Sequence, residues 1–217
     1  SVPRLEPEAT PAISRSPWRD GAFLAFLGLM TLLMIALFQL NGTYPLYVHN
    51  DLGRSEAMLG VLFGANTLLI VLFEMVLVHK LRGVSPARLV GPGAFLLCAG
   101  LALMPLGASF AWLLFTVVVW TAGEMLAMPL VESIVADRAD EKSRGRYMGL
   151  LTMSFGLALV IAPVVGMPVY EHRGANTLWL GCGVVGVLLW IGFAIVGARL
   201  SRSQARVDSN ADASTRP

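Results

Sequence analysis

Six long apolar stretches dominate this chain, and they restrict its fold more than anything else in it. They run at about Gly21–Tyr47, Ala57–Val78, Pro86–Leu106, Phe110–Ala136, Tyr147–Val169 and Asn176–Ala198. Each reaches or exceeds the roughly 20 residues that an α-helix needs to cross bilayer hydrocarbon. Inside hydrocarbon every backbone N–H and C=O must be satisfied within the fold, which leaves helices or a closed barrel. A barrel is written in short segments of alternating polarity. These runs are continuous and rich in Leu, Ala and Gly, so they predict six helices. Composition excludes a soluble alternative, because 56% of the 217 residues are hydrophobic and only 14% are charged. Soluble domains carry roughly 25% charged residues.

Polar segments separate the helices. Asn50 to Ser55 and Arg82 to Pro86 have turn chemistry, and Arg138 to Arg146 forms a charged loop. Residues 1–19 are polar and Pro-rich and read as a cytoplasmic linker, with no cleavable signal peptide. Residues 20–200 form the membrane domain. Residues 201–217 are rich in Ser, Ala, Asp and Arg and read as a disordered cytoplasmic tail.

The basic residues set an orientation. Fourteen of the sixteen Lys and Arg fall on the side that holds both termini and the second and fourth loops; Arg54 and Arg173 alone fall on the other. By the positive-inside rule both termini are cytoplasmic, in a multi-pass plasma-membrane protein of the bacterial inner-membrane kind. Topology thus accounts for the basic residues, and nucleic-acid binding has no support. Trp112 and Trp179, near the outer helix ends, suit an interfacial belt.

Candidate chemistry lies in the polar residues that enter the membrane. An ionisable group at a helix centre costs roughly 2.5–3.5 kcal/mol on insertion scales, so it normally faces a bundle interior or a wet cavity. Glu124 sits at such a depth. It is placed either to take up and release a proton in a coupled transport cycle, or to stay neutral as a hydrogen-bond donor between helices. Asn66 lies at mid-depth on the second helix, placed to line a cavity or to bridge helices. Gln39 and Asn41 lie in the outer half of the first helix, followed by Gly42 and Pro45. That cluster marks either an interrupted helix lining a cavity or a frayed, hydrated end. Glu74, Lys80, Arg82, Glu132, Asp137, Arg144 and Arg146 gather toward the cytoplasm as a charge network, with Glu132 expected to pair with Arg138 or Arg144. The glycines at 91, 93, 181, 183 and 186 predict close helix packing.

Enzymatic readings find little here. His49, His79 and His172 sit at helix ends, and Ser154 has no histidine at its depth. Cys98 and Cys182 lie within apolar runs as small hydrophobes. No cofactor or metal site is expected.

One stretch carries a resemblance. Trp120-Thr121-Ala122-Gly123-Glu124, Pro129, Ala136-Asp137 and Arg144-Gly145-Arg146-Tyr147-Met148-Gly149 resemble the fourth helix, loop and fifth helix of half a major facilitator superfamily transporter, in the drug:proton antiporter-like branch. Tyr44-Pro45-Leu46-Tyr47 through Leu59-Gly60 is similar to a first-to-second helix connection in such a half. The antiporter motif Gly-x-x-x-Gly-Pro-x-x-Gly-Gly survives only as Ala158-x-x-x-Ala162-Pro163-x-x-Gly166-Met167. Weakened motifs of this kind are a mark of the family's C-terminal half.

The resemblance implies an all-α membrane fold, helices 7–12 of a twelve-helix transporter. It also implies proton-coupled efflux of small hydrophobic or cationic compounds, with lipid, protons and a small-molecule substrate as partners. Alternating access needs two halves, so an N-terminal six-helix half is expected upstream in the same polypeptide or on a second chain. The alternative is a non-transporting membrane subunit or scaffold whose intramembrane acids are structural.

Overall fold

In the computed structural model, residues 17–81, 83–139 and 142–214 are described, with side chains as far as Arg199. Arg82 and residues 1–16, among the sequence expectations, lie outside them.

The first crossing is built from α1 (Gly21–Leu37) and α2 (Gln39–Leu46), joined at Phe38 and continued by a π-helical turn at Tyr47–Asp51. A short 3-10 turn at Pro17–Arg19 leads into it. The later crossings are α3 (Glu56–Leu81), α4 (Pro86–Ala102, with a 3-10 turn at Met104–Leu106), α5 (Phe110–Arg138), α6 (Arg144–Arg173) and α7 (Ala175–Ser214). Among the described residues six helices are long and apolar enough to cross a membrane, as the sequence predicts.

Helix ends run past the apolar stretches because hydropathy drops at the first charge while the backbone ladder continues until something caps it. At the end of α6 that cap is Gly174, whose φ of 82° lies in the left-handed region that favours glycine and whose N–H reaches the Tyr170 carbonyl. Between Phe38 and Asp51 the chain stays wound rather than interrupted. The missing N–H of Pro45 is absorbed by a local change of helical pitch, ending in Leu52 N–H donating to Tyr47 O at 3.1 Å. At the other end of the molecule, α7 continues as helix to Ser214 through residues expected to be a disordered tail. A helix already nucleated in the bundle propagates more readily than a free segment nucleates.

The helix α4 is the axis of the packing, sandwiched between α5 and α7. Glycine makes that possible. A Cβ added at Gly123 would stand 2.2 Å from the Leu97 nitrogen, and one at Gly100 would stand 2.5 Å from the Trp120 nitrogen. Toward α7, Gly183 abuts Ala102 and Gly186 abuts Cys98, as expected of small-residue packing. The helix α1 joins this body through α7 and α6, with Phe26 edge-on to Phe193. The peripheral helix is α3, whose large contact is with α5 and which buries Leu62 alone; Leu68, Val71, Phe73 and Met75 are exposed. Trp179, expected at an interface, lies in the core against Tyr44 and Tyr47 with no surface exposed.

Candidate functional site

Glu124 is the central residue of α5, about 21 Å from either end at 1.5 Å per residue. The face of α5 bearing Gly123 and Ala127 packs on α4, and this turns Glu124 toward α3. Thr121, one turn earlier on α5, shares that face. Asn66 of α3 meets both side chains: its amide nitrogen donates to Thr121 Oγ1 at 3.0 Å and to Glu124 Oε2 at 3.1 Å. Thr121 is fully buried, whereas Glu124 and Asn66 are only half-buried. The carboxyl is thus held from one side and open on the other. Glu74, further along α3 and also half-buried, is close enough for its charge to act on Glu124.

Gln39 stands apart from this cluster. Its side chain is 3% exposed and bridges α2 to α6 by donating to the Ala162 carbonyl at 2.9 Å and the Ile35 carbonyl at 3.1 Å. Its Oε1 accepts from Thr43 at 3.1 Å. Ala158, Ala162 and Gly166 form the stripe of α6 that receives it, and a Cβ at 166 would fall 1.9 Å from Gln39 Oε1. The residual glycine of the antiporter-like motif therefore sits where a side chain must pass. Asn41, two residues from Gln39, is exposed and joins neither group.

The polar contact at the basic side of the bundle centres on Asp20. Its carboxylate caps the first turn of α1, accepting from Phe23 N–H at 3.1 Å. It also receives Arg138 at the end of α5 in a two-pronged pair, Nε at 2.6 Å and Nη2 at 2.9 Å, and the Tyr147 hydroxyl of α6 at 3.5 Å. Burial opposes ionisation of this carboxyl, but the hydrogen bonds from Arg138, Phe23 N–H and Tyr147 and the Arg138 charge hold it below the ordinary range.

Arg138 therefore turns to Asp20 rather than to Glu132, which is exposed. Asp137 is exposed and accepts from Ser133 at 3.3 Å, while Lys80, Arg144 and Arg146 are exposed. At the opposite side Arg54 donates to the Ala108 carbonyl at 2.8 Å, and the Tyr170 hydroxyl donates to the Asp51 carboxylate.

Thr121 and Asp20 were not among the expected site residues. The three-residue spacing of Thr121 and Glu124 carried a readable signal. Asp20 offered only its N-cap position, and nothing local connects it with Arg138.

Apolar helices long enough to span a bilayer, one of them with a hydrogen-bonded carboxyl at mid-length, mark a polytopic membrane protein with a candidate functional site at that carboxyl. The model of the Major Facilitator Superfamily matches residues 21–217, and the chain belongs to that superfamily. It is 23% identical over 186 residues to a Na(+), Li(+), K(+)/H(+) antiporter of Planococcus maritimus, covering 79% of this chain and 42% of the relative. It is 22% identical over 200 residues to the class D tetracycline resistance protein of Salmonella ordonez, covering 87% and 51%. An uncharacterized transporter of the same superfamily from Bacillus subtilis is 23% identical over 160 residues, covering 73% and 39%. The chain spans about half the length, or less, of these relatives.

Proposed function

We propose that this chain is the C-terminal six-helix half of a proton-coupled secondary transporter, with Glu124 as its proton-binding group. The observation that carries this reading is the placement of Glu124: central in a membrane-spanning helix, held by Asn66, yet only half-buried. A carboxyl so deep in hydrocarbon needs water or protein on its open side. A second six-helix half facing the seam between α3 and α5 supplies that environment, and closure of one half on the other gives and removes access to the group. Asn66 and Thr121 steady the carboxyl, while Glu74 lies toward the basic side, along the path a proton would take to the cytoplasm. In this reading both chain ends face the cytoplasm, which the fourteen-to-two distribution of basic residues supports.

The substrate is a small hydrophobic or cationic compound, exported against inward proton flow. The names of the relatives, one a cation/H(+) antiporter and one a tetracycline resistance protein, support this class. Reconstitution of the full-length protein in vesicles with a pH-sensitive dye tests the reading. Substrate-driven proton movement is expected for the wild type and is lost in Glu124→Gln. Coupling that survives this substitution removes Glu124 from the mechanism and favours a structural role for it.

A further inference from the structure

The basic side of the bundle holds a second feature, on a different pair of helices from the Glu124 seam. Between the start of α4 and the last turns of the α7 crossing lies a cleft of about 460 Å3. Small residues create it: Ala87 and Gly91 on α4, Ala194 and Gly197 on α7. Gly197 lets the backbones approach at one end, since a Cβ there would stand 2.9 Å from the Ala87 carbonyl oxygen. Trp190 forms the wall at the other end, 47% exposed and packed on Phe95 with ring centroids 5.3 Å apart. Arg88, three residues into α4, lines the same cleft and is exposed, with no carboxylate paired to it among the described residues.

Depth decides what can occupy such a space. Trp190 to Ala198 spans about 12 Å of helix, ending beside Arg199, where the crossing ends. The cleft therefore runs from the headgroup level into the hydrocarbon of one leaflet. Its volume is many times the roughly 30 Å3 share of one water, and its apolar floor gives water few partners. A ligand that fits carries an anion at one end, for Arg88, and a hydrocarbon chain at the other, for the groove beside Trp190. Basic pockets between transmembrane helices on the cytoplasmic side take anionic headgroups on this principle.

We infer that the α4–α7 cleft binds one anionic phospholipid of the adjacent leaflet, phosphate on Arg88 and acyl chain along Gly91, Trp190 and Ala194. The site is independent of proton coupling, so loss of the Glu124 reading leaves it standing.

Native mass spectrometry of the full-length protein, titrated with phosphatidylglycerol or with phosphatidylcholine of the same chains, tests it. The wild type should retain one phosphatidylglycerol in preference to phosphatidylcholine. Arg88→Gln should weaken phosphatidylglycerol binding about fivefold, the worth of one surface arginine, and leave phosphatidylcholine unchanged. Ala194→Trp, which fills the groove from its exposed side, should weaken both lipids. If Arg88→Gln fails to fold, Ala194→Trp decides the matter. Equal retention of the two lipids by the wild type overturns the inference. So does unchanged phosphatidylglycerol binding in a folded variant of either kind, or full competition by glycerol phosphate, which would mark an anion site with no use for the groove.

Discussion

Single residues fix the two ends and the centre of this bundle by different means. Asp20 acts through charge. Because its folded-state ionisation lies below the ordinary aspartate value of 3.8, its contribution to stability is present above that value. It is lost as pH falls through the lower folded value. Acid titration followed by tryptophan fluorescence should show the wild type holding its tertiary signal to lower pH than Arg138→Gln, with Asp20→Asn lacking this limb. An identical acid limb in all three would show that the pair contributes nothing. Gln39 acts through geometry. Gln39→Leu removes the donor to the Ala162 carbonyl, while Thr43 keeps its bond to the backbone carbonyl of residue 39; the loss should cost about 0.5–1.5 kcal/mol, read as a lower melting temperature with little effect on proton binding. The sequence marked Glu124 and Asn66 because buried polar groups are rare enough in apolar helices to stand out. It could not separate them from Gln39 and Asn41, since function at that scale depends on which helix faces which.

At the scale of the helix, the glycines set the distances. Gly123 meets the backbone of Leu97 where no Cβ fits, so Gly123→Val should push α4 and α5 apart. Overpacking of this kind costs about 1–3 kcal/mol, and here it also displaces the adjacent Glu124. Thermal stability and proton flux should fall together in Gly123→Val; an unchanged melting temperature would sink this account of the α4–α5 contact. The helices themselves were legible because lipid demands long, uninterrupted apolar runs, and each run was there to count. Their ends were less so: Gly174 could be read as a stop, but the π-turn after Pro45 and the continuation of α7 depend on how the backbone ladder resolves locally. The pairing of α4 with α5 and α7 was foreshadowed by Gly93, Gly183 and Gly186. The isolation of α3 was not, because its composition resembles that of its buried neighbours.

Across the whole molecule, the uneven packing carries the argument for a second half. The helix α3 leaves a broad apolar face and half-buried Glu124 uncovered beside it, on a chain that spans about half the length of the relatives it matches, or less. Residues 1–217 expressed alone in vesicles should therefore show no substrate-driven proton flux, and supplying an N-terminal half should restore it. Flux from the segment alone would end the two-half reading. Order of assembly also follows from the Asp20 clasp. Its partners on other helices lie 118 and 127 residues further along the chain, so as the polypeptide leaves the ribosome α1 enters the bilayer with the carboxylate capping its own first turn but lacking its arginine. The clasp closes only after the fourth crossing has been threaded and the fifth has begun. Closure of the clasp is therefore a later event than entry of α1, and it needs nothing from α7, whose packing on α4 is the step left to complete the bundle.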